Sequence, residues 1–233
     1  MGKIFLSNHF MKKIFIVIPA FNEEKVIAQV IQDIQAAGFP QIIVVDDGSS
    51  DQTYEKIACL KNVVALRHFI NRGKGAAVKT GIEAAKKLEA EIVITMDGDG
   101  QHDPQDAQKM LGYLEQDYDV ILGSRLKSPK GMPKFKIIAN HLGNFFVWLI
   151  YGLWVTDSQS GFRAYGPKAL KLIQTKTDRY EYDSEVIREI KRNKLKYLEI
   201  PIRVIYTDYS QGKIQKQGFK NGIKTLIKMF LSE

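Results

Sequence analysis

The sequence lacks the features on which disulfide-rich and membrane-spanning proteins depend. Cys59 is the only cysteine among 233 residues, so no disulfide can form within the chain and a reducing compartment is indicated. We interpret Cys59 as a packing residue. The uninterrupted apolar run at 145–155 is well short of the roughly 20 residues that cross a bilayer. Residues 14–20 lead directly into polar sequence without a cleavage site, which favours a first strand over a signal peptide.

Several nucleotide- and metal-binding fingerprints are also missing. The chain contains neither G-x-G-x-x-G nor G-K-[ST], which excludes a Rossmann dinucleotide fingerprint and a P-loop. The acidic stretch MDGDGQHDP, at 96–104, lacks the twelve-residue loop and closing glutamate of an EF-hand. Internal repeats are absent, and a hydrophobic content of 45% with 26% charged residues predicts one folded domain with a sizeable core.

The formal net charge of +8 is concentrated near the end of the chain. Residues 186–230 contain eleven Lys and Arg and three acids. A basic tail of this kind suits an anionic partner, which would be a nucleic acid, an acidic lipid surface or a phosphorylated substrate. The final stretch GFKNGIKTLIKMFL predicts a basic amphipathic helix. It fits a segment lying on anionic lipid, and the alternative is a surface helix docked on the domain.

The first half of the chain alternates strand and helix patterns. Short runs rich in Val and Ile predict strands buried on both faces: KIFIVI, QIIVV, VVAL, EIVITM and DVILG. Amphipathic helices lie between them, the first with Gly38 at its end. This βαβα order predicts an α/β fold with a mostly parallel, doubly wound sheet, in which ligands bind beyond the carboxyl ends of the strands. We interpret the aromatic stretch at 145–154 as a core helix under the active site, although Trp148 and Trp154 would also suit an interface.

Polar clusters follow each of the first four predicted strands. After the fourth, Asp97 and Asp99 flank Gly98, and Gln101 follows. Oxygen ligands at alternate positions of a tight turn suit Mg²⁺ or Mn²⁺, with diphosphate oxygens filling the open coordination positions. After the second strand, Asp46 and Asp47 precede a capped helix, and one carboxylate is expected to bind a base or ribose. After the third, the NRGKG sequence is suited to present Lys74 and backbone amides to a phosphate at a helix N-terminus.

Six motifs, taken together in their order and spacing, resemble one enzyme family: VIPAFNEE, VVDDGSSD, NRGKGAAVKTG, DGDGQHDP, GSR and DSQSGFRAY. They look like an inverting glycosyltransferase of family 2 with the GT-A fold. The similarity is greatest to the dolichol-phosphate mannosyltransferase-like branch, which transfers sugars to polyprenyl phosphate. The resemblance implies a GT-A domain at 12–206, an N-terminal extension at 1–11 and a basic amphipathic segment at 207–233. The Q-x-x-R-W sequence of the processive members is absent.

The resemblance implies roles for individual residues. The implied catalytic set is Asp99, Arg125, Asp157 and Arg163, with Arg125 near the acceptor phosphate and the last two at the floor of the site. The implied metal ligands, for Mg²⁺ or Mn²⁺, are Asp97, Asp99 and Gln101. The implied donor-binding residues are these three together with Pro19, Ala20, Phe21, Glu23, Asp46, Asp47 and Lys74.

The two acceptors that the family uses have different chemical requirements. A lipid phosphate, with a second pKa near ~6, is anionic at neutral pH and needs cations rather than a base. The candidate cations are Arg125, Lys134, Lys136 and Lys213, the last from a stretch that only partly matches the R-x-x-G-x-S-K element of the lipid-phosphate enzymes. A sugar hydroxyl needs a carboxylate base instead. Asp157 is the first candidate for it, followed by Asp183 and Glu185.

The resemblance thus implies a metal-dependent enzyme that moves a sugar from a GDP- or UDP-sugar to polyprenyl phosphate. It implies a place on the cytoplasmic face of a membrane and no nucleic-acid partner, and it leaves a homo-oligomer or a membrane-anchoring subunit open. One alternative is a soluble family 2 enzyme that glycosylates a sugar hydroxyl. The other is a non-catalytic protein that binds nucleotide sugars or anionic polymers.

Overall fold

A computed structural model of the chain describes residues 12–129, 131–179 and 181–205. The N-terminal extension, the basic C-terminal segment and Lys213 lie outside these ranges. Within them, the strands and helices follow one another in this order: β1 (Ile14–Ala20), α1 (Ile27–Ala36), β2 (Ile42–Asp46), α2 (Thr53–Ala58), β3 (Val63–Arg67), α3 (Lys74–Lys87), β4 (Ile92–Thr95), α4 (Gln105–Leu114), β5 (Val120–Ser124), α5 (Lys134–Tyr151), β6 (Arg163–Tyr165), α6 (Pro167–Leu172), α7 (Glu181–Arg192) and β7 (Tyr197–Pro201).

The strands form one seven-stranded sheet in the order β3-β2-β1-β4-β6-β5-β7. All neighbours run parallel except β6, which is antiparallel to both β4 and β5. The predicted α/β class, the mostly parallel sheet and the five Val- and Ile-rich strands are therefore confirmed. The sequence did not predict the direction of β6, because side-chain periodicity carries no information on strand direction.

The sheet is buried on both faces. Along β1, Phe15 and Val17 enter a core layer with α3 and α7, whereas Ile16 and Ile18 enter the opposite layer with α1 and α4. This alternation follows from the period of two along a strand, and each fully buried aliphatic side chain contributes about 1.5–3 kcal/mol. Gly38 ends the first helix with φ +92°, a conformation that a side chain disfavours.

The interpretation of the aromatic stretch as a core helix is wrong. Of the 18 residues of α5, only Asn144 and Val147 are buried. Phe145, Trp148 and Trp154 are 42 to 49% exposed. The helix carries apolar residues around most of its circumference, so hydrophobicity alone did not reveal which side packs on the protein. Within the described ranges, no helix combines the length and hydrophobicity needed to cross a membrane.

Cys59 corrects a second interpretation. It is exposed at the end of α2 and is not a packing residue. The six residues of α2 bury only Thr53 and Ile57, so the short helix turns its last residues toward solvent.

Candidate active site

The polar clusters meet at the carboxyl ends of the parallel strands. Strand register places Ala20 beside Asp46 and Asp46 beside Arg67, and β4 ends on the other side of β1 at Thr95. Thr95 Oγ1 donates a hydrogen bond of 2.7 Å to the carbonyl of Gly161, which ties the acidic turn to the SGFR motif. Four segments that are distant in sequence thus form one edge of the sheet, as expected for an open α/β sheet.

Lys74 lies between two carboxylates at this edge. Its Nζ lies 2.7 Å from Asp97 Oδ1 and 3.6 Å from Asp183 Oδ2. Burial alone would lower the pKa of Lys74, but the charges of Asp183 and Asp97 raise it well above its ordinary value. Burial likewise would raise the pKa of Asp97, yet the charge of Lys74 holds it well below its usual range. Lys74 and Asp97 are therefore a charged pair at neutral pH.

Asp99 is in the opposite electrostatic situation. Burial, and after it the carboxylate of Asp97, raise the pKa of Asp99. Its Oδ1 accepts a hydrogen bond of 3.0 Å from the backbone amide of Gln101. The surroundings therefore compensate the negative charge of an ionised Asp99 poorly.

This arrangement fits a divalent cation. Within the described ranges, no group of three or more His, Cys, Asp or Glu side chains is arranged to hold a metal ion alone. Two carboxylates and an amide side chain on one turn are the incomplete set of hard oxygen donors that Mg²⁺ or Mn²⁺ shares with a diphosphate. A cation beside Asp99 would relieve the repulsion from Asp97 that raises its pKa. Of the two aspartates, Asp99 would be the better ligand for such a cation, because Lys74 already neutralises Asp97.

His102 is a site residue for which the sequence analysis proposed no role. Its Nδ1 accepts a hydrogen bond of 3.3 Å from the backbone amide of Asp97, and its ring stacks on Phe162 at 4.9 Å between centroids. Burial lowers its pKa, and the neutral ring agrees with Nδ1 as the acceptor. His102 therefore fixes the backbone of the acidic turn. Its place in the DGDGQHDP motif was the available signal.

The described chain ends beside the same turn. The amide of Ile205 donates a hydrogen bond of 2.8 Å to the carbonyl of Gln101, and Val204 forms a bridge with His102.

Asp46 and Asp47 have different partners. Asp46 is fully buried at the end of β2, and its Oδ2 makes no hydrogen bond although Arg67 Nε lies 3.1 Å away. Arg67 stacks over the ring of Tyr54 and covers this oxygen. The base of a bound nucleotide would therefore reach this oxygen of Asp46 only after the Arg67 side chain moves. Arg67 was missed because nothing in VVALR distinguishes it from a surface arginine.

Asp47 organises the loop between β3 and α3. Its two oxygens accept hydrogen bonds from the amides of Arg72 and Gly73, and His68 Nδ1 lies 2.7 Å from Oδ1. This carboxylate is saturated by protein groups. It positions the loop that leads to Lys74.

Protein groups occupy part of the start of α3. The amide of Gly73 binds Asp47, and the amide of Ala76 donates a hydrogen bond of 2.9 Å to the carbonyl of Asp178. A Cβ on Gly75 would lie 2.6 Å from Tyr182 Cβ, so α7 packs directly on this helix end. Two of the backbone amides at this helix end are therefore engaged by protein groups, and the rest of the expected phosphate contact, including that of Lys74, stays a prediction.

The first loop borders the same edge. Pro19 is half-buried, Ala20 is buried, and Phe21 is 43% exposed. Glu23 is buried, and its amide donates a hydrogen bond of 2.8 Å to Thr53 Oγ1. Of this group, Phe21 presents the most accessible surface to a donor.

Arg125 and Asp157 form the best-defined ion pair of the site. Arg125 Nε and a terminal guanidinium nitrogen each lie 2.8 Å from one oxygen of Asp157, and the Arg125 amide donates a third hydrogen bond of 2.9 Å. Asp157 is 1% exposed and Arg125 22%. Burial alone would lower the pKa of Arg125, and Asp157 raises it. Such a bidentate pair fixes the plane of the guanidinium.

A polar framework supports this pair from α5 and β7. Asn144 accepts hydrogen bonds from the amide and hydroxyl of Ser158 and donates one to the carbonyl of Thr156. Glu199 in turn accepts from the amide and hydroxyl of Thr156. The residues on both sides of Asp157 are therefore held by the buried Asn144 and the half-buried Glu199.

Arg163 lies beneath the site. It is 1% exposed, and its guanidinium donates hydrogen bonds to the carbonyls of Ser160, Ser158 and Asp183. It therefore connects the SGFR loop with the start of α7. This contact pattern is that of a positioning residue at the floor.

The cations proposed for the acceptor differ in placement. Burial, and then the charge of Arg125, lower the pKa of Lys136, with Asp99 acting in the opposite direction. Lys136 therefore lies within electrostatic range of both. Lys134 is exposed at the first position of α5. Its role, like that of Lys213, stays a prediction.

The three carboxylates considered as a base are all engaged. Asp157 is bound by Arg125 as described. Asp183 lies 3.6 Å from Lys74 Nζ and 3.5 Å from a guanidinium nitrogen of Arg163. Glu185 accepts hydrogen bonds from two backbone amides, the hydroxyl of Thr177 and Arg188.

Comparison with known proteins gives consistent matches. Residues 15–173 match the family model described as glycosyl transferase family 2. The chain is 40% identical over 224 residues to UDP-N-acetylglucosamine–dolichyl-phosphate N-acetylglucosaminyltransferase of Methanococcus voltae, covering 87% of this chain and 89% of that protein. It is 25% identical over 224 residues to polyprenol monophosphomannose synthase of Mycolicibacterium smegmatis, covering 89% and 82% respectively.

A solved structure resembles the whole fold. Glucosyl-3-phosphoglycerate synthase from Mycobacterium tuberculosis, crystallised with Mn²⁺, UDP and phosphoglyceric acid, superposes with a TM-score of 0.66 at 18% identity. The match covers 94% of this chain and 78% of that chain.

Proposed function

The chain belongs to glycosyl transferase family 2, and from that premise we propose that it transfers a sugar from a nucleotide-diphospho-sugar to a polyprenyl phosphate with the help of Mg²⁺ or Mn²⁺. It is a glycosyltransferase, and its mostly parallel sheet is the GT-A fold that the motifs predicted. What we propose beyond this is the identity of the acceptor, of the donor nucleotide and of the metal.

One observation carries the choice of acceptor. Asp157, Asp183 and Glu185 are each bound by cations or by several hydrogen-bond donors, so none of the three is free to take a proton from a sugar hydroxyl. A phosphate that is already anionic needs no such base. It needs cations, and Arg125 and Lys136, which lie within electrostatic range of each other and of Asp99, are the candidates.

The reaction follows from this placement. Asp99 and Gln101 would hold the cation, which when bound stabilises the negative charge that develops on the leaving diphosphate. Lys74 keeps Asp97 ionised beside it. Arg125, fixed by Asp157, orients the acceptor phosphate so that its oxygen attacks the anomeric carbon opposite the leaving group. A new carbon–oxygen bond forms as the bond to the diphosphate breaks, the electron pair leaves with the nucleoside diphosphate, and the anomeric configuration inverts.

The names of two relatives suggest the order in which donors are tested. The Methanococcus voltae relative is named for UDP-N-acetylglucosamine and dolichyl phosphate, and the mycobacterial relative for polyprenol monophosphomannose. We therefore place UDP-N-acetylglucosamine first and a GDP-sugar second. A lipid acceptor also places the enzyme at a membrane surface, on the cytoplasmic face where nucleotide sugars are available.

Solvent extraction of a labelled product tests the proposal. The full chain is incubated with radiolabelled UDP-N-acetylglucosamine or GDP-mannose, polyprenyl phosphate and Mn²⁺. We expect label in the organic phase, and none with Arg125→Met. Label that stays in the aqueous phase and grows with an added sugar acceptor would reject the lipid phosphate in favour of a hydroxyl. Absence of transfer from any donor, with nucleotide binding intact, would favour a binding protein.

A further inference from the structure

One side of α5 carries a continuous exposed apolar surface. It consists of residues spaced three or four apart, together with two tryptophans, and we call it the α5 face: Phe135, Ile138, Leu142, Phe145, Trp148, Leu149 and Trp154. These side chains are 42 to 69% exposed. Ring contacts connect Phe145 to Trp148 at 5.8 Å and Trp148 to Trp154 at 6.1 Å between centroids. Over 18 residues the helix is about 27 Å long, so this is a patch of the size that marks an interaction surface.

The segment that carries the α5 face has charges of only one sign. Residues 126–155 contain four lysines and neither Asp nor Glu. At the other end of the helix, Lys191 Nζ donates a hydrogen bond of 2.6 Å to the carbonyl of Gly152, which places a further cation beside Trp154. An apolar helix face with aromatic residues and bordering lysines is the composition of a helix that lies in a lipid interface.

The same charges disfavour two other occupants of the α5 face, namely the C-terminal segment at 206–233 and a second copy of the chain. Residues 206–233 contain five lysines and two acids, so covering the α5 face with this segment would bring like charges together. Two copies joined through the face would also oppose their lysine borders. We therefore propose that the α5 face docks on an anionic lipid bilayer, with its tryptophans at the level of the headgroups and the helix parallel to the surface.

The position of α5 suggests what the docking is for, and this part of the inference rests on the proposed function. α5 begins at Lys134, and Lys136 lies within electrostatic range of Arg125 and Asp99. Docking through α5 therefore holds the acceptor side of the site at the surface from which a lipid phosphate would come. The docking itself depends only on the exposed face and its charge.

The two tryptophans make the proposal directly measurable. The chain contains only Trp148 and Trp154, and both belong to the α5 face. We expect their emission to shift to shorter wavelength when the full chain meets vesicles containing phosphatidylglycerol. Brominated acyl chains should quench it, and pure phosphatidylcholine vesicles should have a much smaller effect. The basic C-terminal segment contains no tryptophan, so its own binding to lipid would not produce this signal.

Matched variants test the face by vesicle co-sedimentation. Leu142→Gln with Leu149→Gln removes two exposed leucines from the face, and we expect vesicle affinity to fall by about tenfold or more. Ile70→Gln with Leu88→Gln removes two comparably exposed apolar residues elsewhere and should leave it unchanged. Circular dichroism checks that both variants fold.

Three outcomes would overturn the proposal. Vesicle binding without an emission shift would assign lipid binding to another segment. An emission shift that depends on protein concentration without vesicles, together with a doubled mass in sedimentation, would assign the face to a second copy. Equal loss of binding in the two variant pairs would show that the face is not specific. An emission shift without any sugar transfer would instead leave the docking standing and count against the proposed function.

Discussion

Replacing Asp157 with asparagine tests how strongly the site depends on its ion pair with Arg125. The change keeps the size of the side chain but removes its charge. Three hydrogen bonds of 2.8 to 2.9 Å then lose their anionic acceptor, and the guanidinium is left without its bidentate partner. We expect lower stability and slower transfer, because Arg125 would no longer be held in one plane.

The magnitude follows from the burial of the two groups. Removing one partner of a buried pair costs about 3–5 kcal/mol. Arg125 retains 22% exposure, and asparagine still accepts one hydrogen bond, so we expect a loss of about 2–4 kcal/mol in the free energy of unfolding. For a chain of this length each kcal/mol lowers Tm by about 2–4 °C, which gives a decrease of roughly 5–15 °C.

Thermal unfolding followed by circular dichroism provides the assay, and the surface provides a matched control. Glu89 pairs with Lys13 at 2.6 Å, but the two side chains are 82% and 47% exposed. Glu89→Gln makes the same chemical change and should produce no measurable shift in Tm. Adding Arg125→Met to Asp157→Asn should restore part of the lost stability, because it removes the uncompensated buried charge. A decrease no larger than that of the control, or a further decrease in the double variant, would refute the reasoning.

Three further changes probe the surroundings of the site. Gly161→Ala places a Cβ 2.6 Å from Asp97 Oδ1, so we expect the free energy of unfolding, measured by thermal melts, to fall by about 1–3 kcal/mol and sugar transfer to slow. Gly166→Ala is the control and should be tolerated, because the atom nearest to its Cβ lies 3.4 Å away. Lys74→Met leaves the carboxylate of Asp97 without the main charge that lowers its pKa, and burial then raises that pKa. The loss of stability in pH-dependent melts should therefore be larger at about pH 8 than at about pH 5, where the carboxyl takes up a proton more readily, and a larger loss at about pH 5 would contradict the charged pair. Asn144→Leu leaves several polar groups without their hydrogen-bond partner and should lower the free energy of unfolding by about 2–4 kcal/mol. His141→Leu, on the exposed side of α5, is the control, and a similar decrease in that variant would show that the lost hydrogen bonds are not the cause.

The sequence was most informative where one local pattern determines the outcome. Alternating Val and Ile runs identify strands buried on both faces, and Gly38 identifies the end of α1. The rule that ligands bind beyond the carboxyl ends of the strands also predicted, from the sequence alone, that the polar clusters meet at one edge of the sheet. The motifs carried the family and the fold, and both are confirmed.

The contacts within the site could not be read from the sequence. Lys74 and Asp97, like Arg125 and Asp157, were singled out separately, but their pairing depends on how distant strands and loops meet. The sequence likewise could not show which side of α5 packs on the protein, since a helix with apolar residues on most sides can bury any one of those sides. Arg67 and His102 received no role because their importance lies in the neighbours that they hold.

Calorimetric titration of UDP into the full chain, with and without Mn²⁺, tests the central claim that the acidic turn holds a cation that binds the donor diphosphate. For the unchanged chain, we expect Mn²⁺ to raise the UDP affinity by about tenfold or more, since a shared cation binds both partners. For Asp99→Asn, we expect no such gain. An equal gain in both proteins, or none in either, would contradict the claim.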